Sequence, residues 1–236
     1  MSDKTILKQR FKKSLATYSD NAIVQKQMAQ KLLNILPQKQ YNNILELGCG
    51  SGVLTNLALN KFKYNSYLAG DIVEECAQYI RADFFVCDID NINLNQKYDL
   101  IISNAALQWS EDLDKTVNVL MQSLTDDGIL AFTIFGSKNM HEIKNIFNTG
   151  LEYYTVEELK QKFKPYNILE LYDEIMSVNF KSVKDILKHI KLTGVNALKP
   201  IKLSPKNLKE LLIKYENSYG CNLTYNPVCV VLKNSK

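Results

Sequence analysis

Histidine and tryptophan are almost missing from this chain: among 236 residues there are two histidines, His141 and His189, and one tryptophan, Trp109. Two histidines so far apart in sequence offer no evident histidine-based triad, and no metal is expected. Cysteine is sparse as well. The five residues, Cys49, Cys76, Cys87, Cys221 and Cys229, are odd in number and contain no Cys-x-x-Cys pair. Reduced thiols in a cytoplasmic protein are the simplest account. No apolar run approaches the roughly 20 residues of a membrane span. Met1 to Lys13 is charged and lacks the apolar stretch of a secretory signal, so no membrane partner is expected. Internal repeats and low-complexity linkers are absent too, which leaves a chain of one sizeable domain's length.

What is present is an ordinary globular composition, 46% hydrophobic, which excludes a disordered chain. The net charge of +4 hides an asymmetry. Residues 181–236 carry eleven lysines against three acidic residues, whereas residues 1–180 carry eighteen basic and twenty-two acidic ones. A basic face recruits an anionic partner by steering and ion pairing; a solvated lysine-rich surface is the plainer alternative. The aromatic–basic interleaving of a single-strand nucleic-acid binder is missing, so no nucleic acid is expected.

Lys4 to Ser14 reads as a short basic amphipathic helix. Asn21 to Leu36 is a stronger one: Val24, Met28, Leu32 and Leu36 form one stripe, Ser19, Asp20 or Asn21 can cap it, and Pro37 ends it. Strands and helices then alternate. Strands are expected at Asn43–Leu47, Tyr67–Gly70, Phe84–Cys87, Tyr98–Ser103 and Gly128–Phe135, several of them nearly continuous apolar runs, as in a parallel sheet covered on both faces. A helix over Asp112–Leu124 carries Leu113, Val117, Leu120 and Leu124 inward, and Thr125-Asp126-Asp127-Gly128 turns into the fifth strand. Beyond Phe135 come helices at Met140–Phe147 and Val156–Phe163, one long strand over Tyr166–Phe180, and a helix capped by Ser182. Ser204-Pro205 opens another helix to about Tyr219, and Leu223–Leu232 is a closing strand. The expected fold is α/β: a doubly wound, Rossmann-like seven-stranded sheet in a single domain, residues 1–236. Residues 1–37 form N-terminal helices, 43–135 the cofactor-binding core, and 182–219 a helical lid between the last two strands.

Residues 44–52 read Ile44-Leu45-Glu46-Leu47-Gly48-Cys49-Gly50-Ser51-Gly52. An apolar run that ends in three alternating glycines stops a strand and turns the backbone tightly. Val53, Leu54, Leu57 and Ala58 then recur at helical spacing, so a helix starts at the turn. Glycine lets a ligand lie against bare backbone, and the helix start adds free N–H groups and a positive dipole end. Asp71, nineteen residues past Gly52, ends the second strand, where a carboxylate can accept from both ribose hydroxyls of a nucleoside. A dinucleotide site wants glycine where Val53 stands, and no Lys-Ser or Lys-Thr follows the loop as in a phosphate cradle. Glu46, two residues before the first glycine, suits a ligand that carries a cation. The glycine motif with its later acid resembles the first motif of class I S-adenosylmethionine-dependent methyltransferases. That resemblance implies S-adenosylmethionine as cofactor, bound by Glu46, Gly48, Gly50, Gly52 and Asp71.

Three more positions sit at expected strand ends. Asp88 can accept from the exocyclic amine of a purine, and Ile89 can pack on its ring. Asn104 lies at the same sheet edge, where open α/β folds bind ligands. Trp109 offers an aromatic wall beside a sulfonium, although a core role is the commoner one. Cys49 is read as a small loop filler rather than a nucleophile.

Phe11, Ala16-Thr17-Tyr18, Gln25, Met28-Ala29 and Leu32-Leu33 join this pattern, with Ser103–Trp109, the segment His189 to Ala197, and Leu223-Thr224-Tyr225. Together they resemble the malonyl-acyl-carrier-protein O-methyltransferases of biotin synthesis over nearly the whole chain. Val195 and the Gly70-Asp71 pair depart from the family's usual residues. The resemblance implies esterification of the free carboxylate of a malonyl thioester on acyl carrier protein. It implies Tyr18 over the methionine end of the cofactor. Trp109, His189, Lys191 and Asn196 are expected toward the substrate, a structural role being the commoner one for His189. Lys184, Lys188 and Lys191 recur at spacings of four and three on one helical side, so Lys184 and Lys188 are expected toward an acidic carrier. No general base is expected, because a carboxylate acceptor is already ionised at neutral pH. Rival readings share the cofactor residues: methylation of another small acid or a phenol, or a non-catalytic nucleoside-binding regulator. A nicotinamide-dependent oxidoreductase is disfavoured by Val53.

Overall fold

The computed structural model describes residues 3–193 and 204–235. Two helices lead, α1 (Asp3–Asn21) and α2 (Ile23–Ile35). They are followed by β1 (Gln40–Leu47), α3 (Val53–Lys61), β2 (Lys63–Asp71), β3 (Asp83–Val86), β4 (Tyr98–Asn104), α4 (Leu113–Gln122) and β5 (Leu124–Phe135). The second half holds α5 (His141–Phe147), α6 (Val156–Phe163), β6 (Asn167–Asp173), β7 (Met176–Asn179), α7 (Val183–Leu192), α8 (Pro205–Tyr219), β8 (Asn222–Tyr225) and β9 (Pro227–Lys233).

Seven strands form one sheet in the order β3-β2-β1-β4-β5-β9-β6. The first five run parallel, and β9 is antiparallel to both of its neighbours. The strand order switches direction between β1 and β4, which opens a crevice at their carboxyl ends. Alternation along each strand divides the core into two layers. Ile44, Leu100, Ile102 and Ala131 meet Leu32 and Leu33 of α2 and Leu54 and Ala58 of α3 on one face. Leu45, Ile101, Leu130 and Phe132 meet Val117 and Leu120 of α4 and Leu159 and Phe163 of α6 on the other. A third apolar cluster joins Phe135 to Ile143, Ile186, Ile190, Tyr215 and Tyr225, and packs α5, α7 and α8 over one end of the sheet.

Several elements differ from the sequence expectation. The long strand over Tyr166–Phe180 is two strands, and so is Leu223–Leu232: β7 and β8 peel away to form a separate antiparallel pair. The breaks fall at Glu174 and at Asn226, and the Asn226 side chain joins them. Its Nδ2 donates to Asp173 Oδ2 and to the Glu174 carbonyl, each at 2.9 Å, and its Oδ1 accepts from the Lys138 N–H at 3.1 Å. Pro227, next in line, brings no N–H to a continuous ladder. Helix α1 runs on past Ser14 to Asn21, and the Ser14 hydroxyl donates back to the Phe11 carbonyl within it. The cap of α2 is Ala22 and uses no side chain, since the Asn21 amide donates to the Thr17 carbonyl at 2.7 Å instead. The Thr125–Gly128 segment is a bulge inside β5 rather than a turn before it, with Asp127 at φ 61° and the pairing slipping between Tyr98 and Leu100.

Candidate functional site

The β1–α3 loop is the floor of a cleft of about 1010 Å³, open mouth included. Gly48 (φ 71°) turns the chain away from the strand; a Cβ there would lie 2.2 Å from the Ala106 Cβ. Gly50 (φ 51°) has open space around it, so its backbone angle is what requires glycine. That N–H donates to Asp71 Oδ2 at 2.9 Å, and the Val73 N–H donates to Oδ1 at 2.9 Å. The carboxylate therefore sits at the end of β2 held by backbone N–H groups, with the Cys76 thiol as a further donor. Burial raises its pKa, against the pull of the bonds from Val73 and Gly50.

Of the residues singled out in the sequence, Tyr18, Gly48, Gly50, Asp71, Asp88, Ile89, Asn104 and Trp109 line this one cleft. Glu46 and Gly52 lie outside its lining. Glu46 is fully buried beneath the loop, where its Oε2 accepts from the Tyr67 hydroxyl at 2.6 Å and its Oε1 has no hydrogen-bond partner among the described residues. Burial pushes its pKa up to about 7, against the Tyr67 bond. Gly52 begins α3 against the Tyr79 carbonyl. Asn104 borders the cleft, but its side chain is committed: Nδ2 donates to the Gln25 carbonyl at 3.0 Å and Oδ1 accepts from Thr133 at 2.7 Å. Cys49 is a buried free thiol whose pKa burial drives far up, so it is not a nucleophile at neutral pH.

The roof of the cleft is α1, which contributes Lys4, Phe11, Ser14, Leu15 and Tyr18. Trp109 and Phe11 meet edge to face with ring centres 5.5 Å apart, which closes one wall. Burial, then the charge of Asp71, raises the Tyr18 pKa, so the phenol stays protonated. The carboxyl end of α1 is tied down twice: the Ser19 hydroxyl donates to Ser51 of the glycine loop at 3.0 Å, and Thr17 to the Leu192 carbonyl of α7 at 3.2 Å. His189 lies away from the cleft lining, with Nε2 2.7 Å from the Tyr225 hydroxyl and its ring 5.0 Å from Phe180. Burial lowers its pKa and favours the neutral ring. Lys184, Lys188 and Lys191 are exposed on α7, opposite buried Val183, Ile186 and Ile190. Asn196 lies outside the described residues.

Sequence reasoning missed Lys4, Asp90, Tyr67 and Ala105. Tyr67 carries a local signal, because β1 and β2 pair Ile44 with Tyr67 and so place Tyr67 diagonal to Glu46 on one face. Ala105 shapes the cleft with φ 52°, an angle that alanine seldom adopts and that no composition cue announces.

The residues present fit a nucleoside: a bare-backbone floor, a carboxylate at the end of β2, a second carboxylate at Asp88, and apolar walls. The comparisons with known proteins agree. A family model described as a methyltransferase domain matches residues 21–182. The malonyl-acyl-carrier-protein O-methyltransferase of Calditerrivibrio nitroreducens is 35% identical, covering 97% of this chain and 96% of its own. That of Chlorobium luteolum is 33% identical, covering 99% of this chain and 96% of its own. Among solved structures, the N-methyltransferase NodS of Bradyrhizobium japonicum, in complex with S-adenosyl-L-homocysteine, superposes with a TM-score of 0.51 at 13% identity. That pairing covers 88% of this chain and 86% of NodS, and its likeness is one of fold.

Proposed function

Since the chain belongs to the malonyl-acyl-carrier-protein O-methyltransferase family, we propose that it esterifies the free carboxylate of a malonyl group on acyl carrier protein, a step of biotin (pimeloyl) synthesis. S-adenosylmethionine is the cofactor; bound, it supplies a methyl group on a sulfonium. The observation that carries the cofactor assignment is the bond from the Gly50 N–H to Asp71, which fixes a carboxylate against bare backbone at the sheet's switch point. In this reading Asp71 accepts from the ribose hydroxyls and Asp88 from the exocyclic amine of the base. Ile89 packs on the ring, Tyr18 covers the methionine end, and Trp109 walls the side of the acceptor. Gly48 and Gly50 give the ligand room, Gly52 starts α3, and Glu46 braces the loop from below through Tyr67.

The chemistry asks little of proton transfer. A malonyl carboxylate is ionised at neutral pH, so the protein need only align oxygen, methyl and sulfur and keep water out. Helix α1 as roof and the Phe11–Trp109 pair as wall serve that exclusion. We read α7 and α8 as the lid on the acceptor side, with His189 toward the substrate and the exposed Lys184, Lys188 and Lys191 toward the carrier. We read the protein as cytoplasmic, a reading that its five free thiols support. Among the described residues no helix is long and apolar enough to cross a membrane.

The test is incubation with methyl-labelled S-adenosylmethionine and malonyl groups on acyl carrier protein, on coenzyme A and on a small thiol. Mass spectrometry then looks for a malonyl methyl ester. Labelling of a small acid or phenol, with every malonyl thioester left untouched, overturns the acceptor and leaves only the cofactor assignment.

A further inference from the structure

Asp88 has no acceptor capacity left over. Lys4, in the first turn of α1, sets its Nζ 2.8 Å from each carboxylate oxygen. The Asp90 N–H donates to Oδ1 at 3.1 Å and Asn91 Nδ2 to Oδ2 at 3.0 Å. A carboxylate offers about four lone-pair sites, and here all four are filled. The same ammonium lies 2.6 Å from Asp90 and 3.8 Å from Glu111. One cation thus bridges three acids at the end of the cleft that the proposed function gives to the purine. Burial works against the charges, yet the bonds to Asp88 and Asp90 still raise the Lys4 pKa, and Lys4 holds both carboxyls below their ordinary range.

We propose that Lys4 is a latch on the cofactor site: its ammonium and the exocyclic amine of an adenine nucleoside are alternative donors to Asp88, so amine-bearing nucleosides bind as Lys4 withdraws. This rests on the assignment of Asp88 made above. Helix α1 carries Lys4 together with the residues that roof the cleft, so withdrawal and opening are one movement. Its carboxyl end is held by the Ser19–Ser51 and Thr17–Leu192 bonds and Lys12 pairs with Glu75, so the movement proposed is that of the first turn, which carries Lys4. Asp90 and Glu111 keep the displaced ammonium paired and return it when the site empties.

Two neutral ligands test this by calorimetry: adenosine, and purine riboside, which lacks the exocyclic amine. Lys4→Met should bind adenosine about two- to fivefold more tightly than the wild type, the range that a solvent-accessible ion pair supplies. Its affinity for purine riboside should not change. Added salt should tighten adenosine binding to the wild type and leave Lys4→Met unaffected. Hydrogen exchange in the first turns of α1 should speed up when adenosine binds the wild type. If wild type prefers adenosine to purine riboside but Lys4→Met binds adenosine no better, the latch is wrong and the Asp88 assignment stands. Weaker adenosine binding by Lys4→Met makes Lys4 a ligand-binding residue and also rejects the latch. If neither protein distinguishes the two nucleosides, the Asp88 assignment falls and takes the latch with it.

Discussion

Two carboxylates on neighbouring strands do different work because one reaches solvent and the other does not. Asp71 accepts from the Gly50 and Val73 N–H groups and still borders the cleft. Asp71→Asn retains the size of the side chain but loses the charge that strengthens a bond from a ribose hydroxyl. S-adenosylhomocysteine binding should weaken by roughly 1.5–3 kcal/mol, about ten- to a hundredfold. Calorimetry on the folded variant decides this, and an unchanged affinity removes Asp71 from the site. Glu46 is the enclosed one. Its pKa of about 7, against an ordinary 4.5, means that the native state keeps a proton that the unfolded chain has released. Stability therefore falls as pH rises from about 4.5 to about 7 and is flat above. Glu46→Gln cannot ionise, so its melting temperature should gain on the wild type across that window and hold a constant lead beyond it. The lead corresponds to at most about 3 kcal/mol. Parallel melting curves at every pH would show that Glu46 does not titrate there.

At the scale of elements, the join between the main sheet and the β7–β8 pair turns on Asn226. This residue is 1% exposed, and its side chain serves Lys138, Asp173 and Glu174 at once. Asn226→Ala leaves those partners buried without a replacement and should cost about 3 kcal/mol, read as a lower melting temperature. If the variant melts with the wild type, Pro227 alone sets the break. This element also marks the limit of what the sequence tells. The five parallel strands and the glycine loop were legible because their signals are local: continuous apolar runs, alternating glycines, an acid at a strand end. The breaks at Glu174 and Asn226 were not, since both flanking runs are extended and the bonds that divide them join residues about fifty positions apart. The same holds for α1. Its periodicity gave a helix, but that Lys4 reaches Asp88 across 84 residues is a product of tertiary packing. Asp71, Asp88 and Trp109 were readable as cleft residues. The wall supplied by α1 was readable only at Phe11 and Tyr18, through family resemblance.

Across the whole molecule, charge is divided as the proposed reaction requires. The cofactor end is acidic, with Asp71, Asp88 and Asp90 around the cleft, while the surplus of lysine lies in residues 181–236. Helix α7 buries Val183, Ile186 and Ile190 and turns Lys184, Lys188 and Lys191 outward on one side. Spacings of four and three residues keep the three ammoniums together, so they can meet one partner. Helix α1 touches both regions, through Ser51 at the glycine loop and Leu192 at the end of α7. A carrier drawn to α7 is therefore held one helix away from the reacting end of the cleft. Long-range attraction of this kind acts on the rate of encounter and is screened by salt. Lys184→Glu combined with Lys188→Glu should lower kcat/KM for malonyl acyl carrier protein by roughly tenfold at low ionic strength, within the range that steering provides. Added salt should slow the wild type toward the variant. A small malonyl thioester carries no acidic surface to steer, so its turnover should be the same in both proteins. Equal losses on carrier and small thioester would place these lysines in the acceptor site itself. A carrier rate untouched by both mutation and salt would move the docking face elsewhere on the basic quarter of the chain.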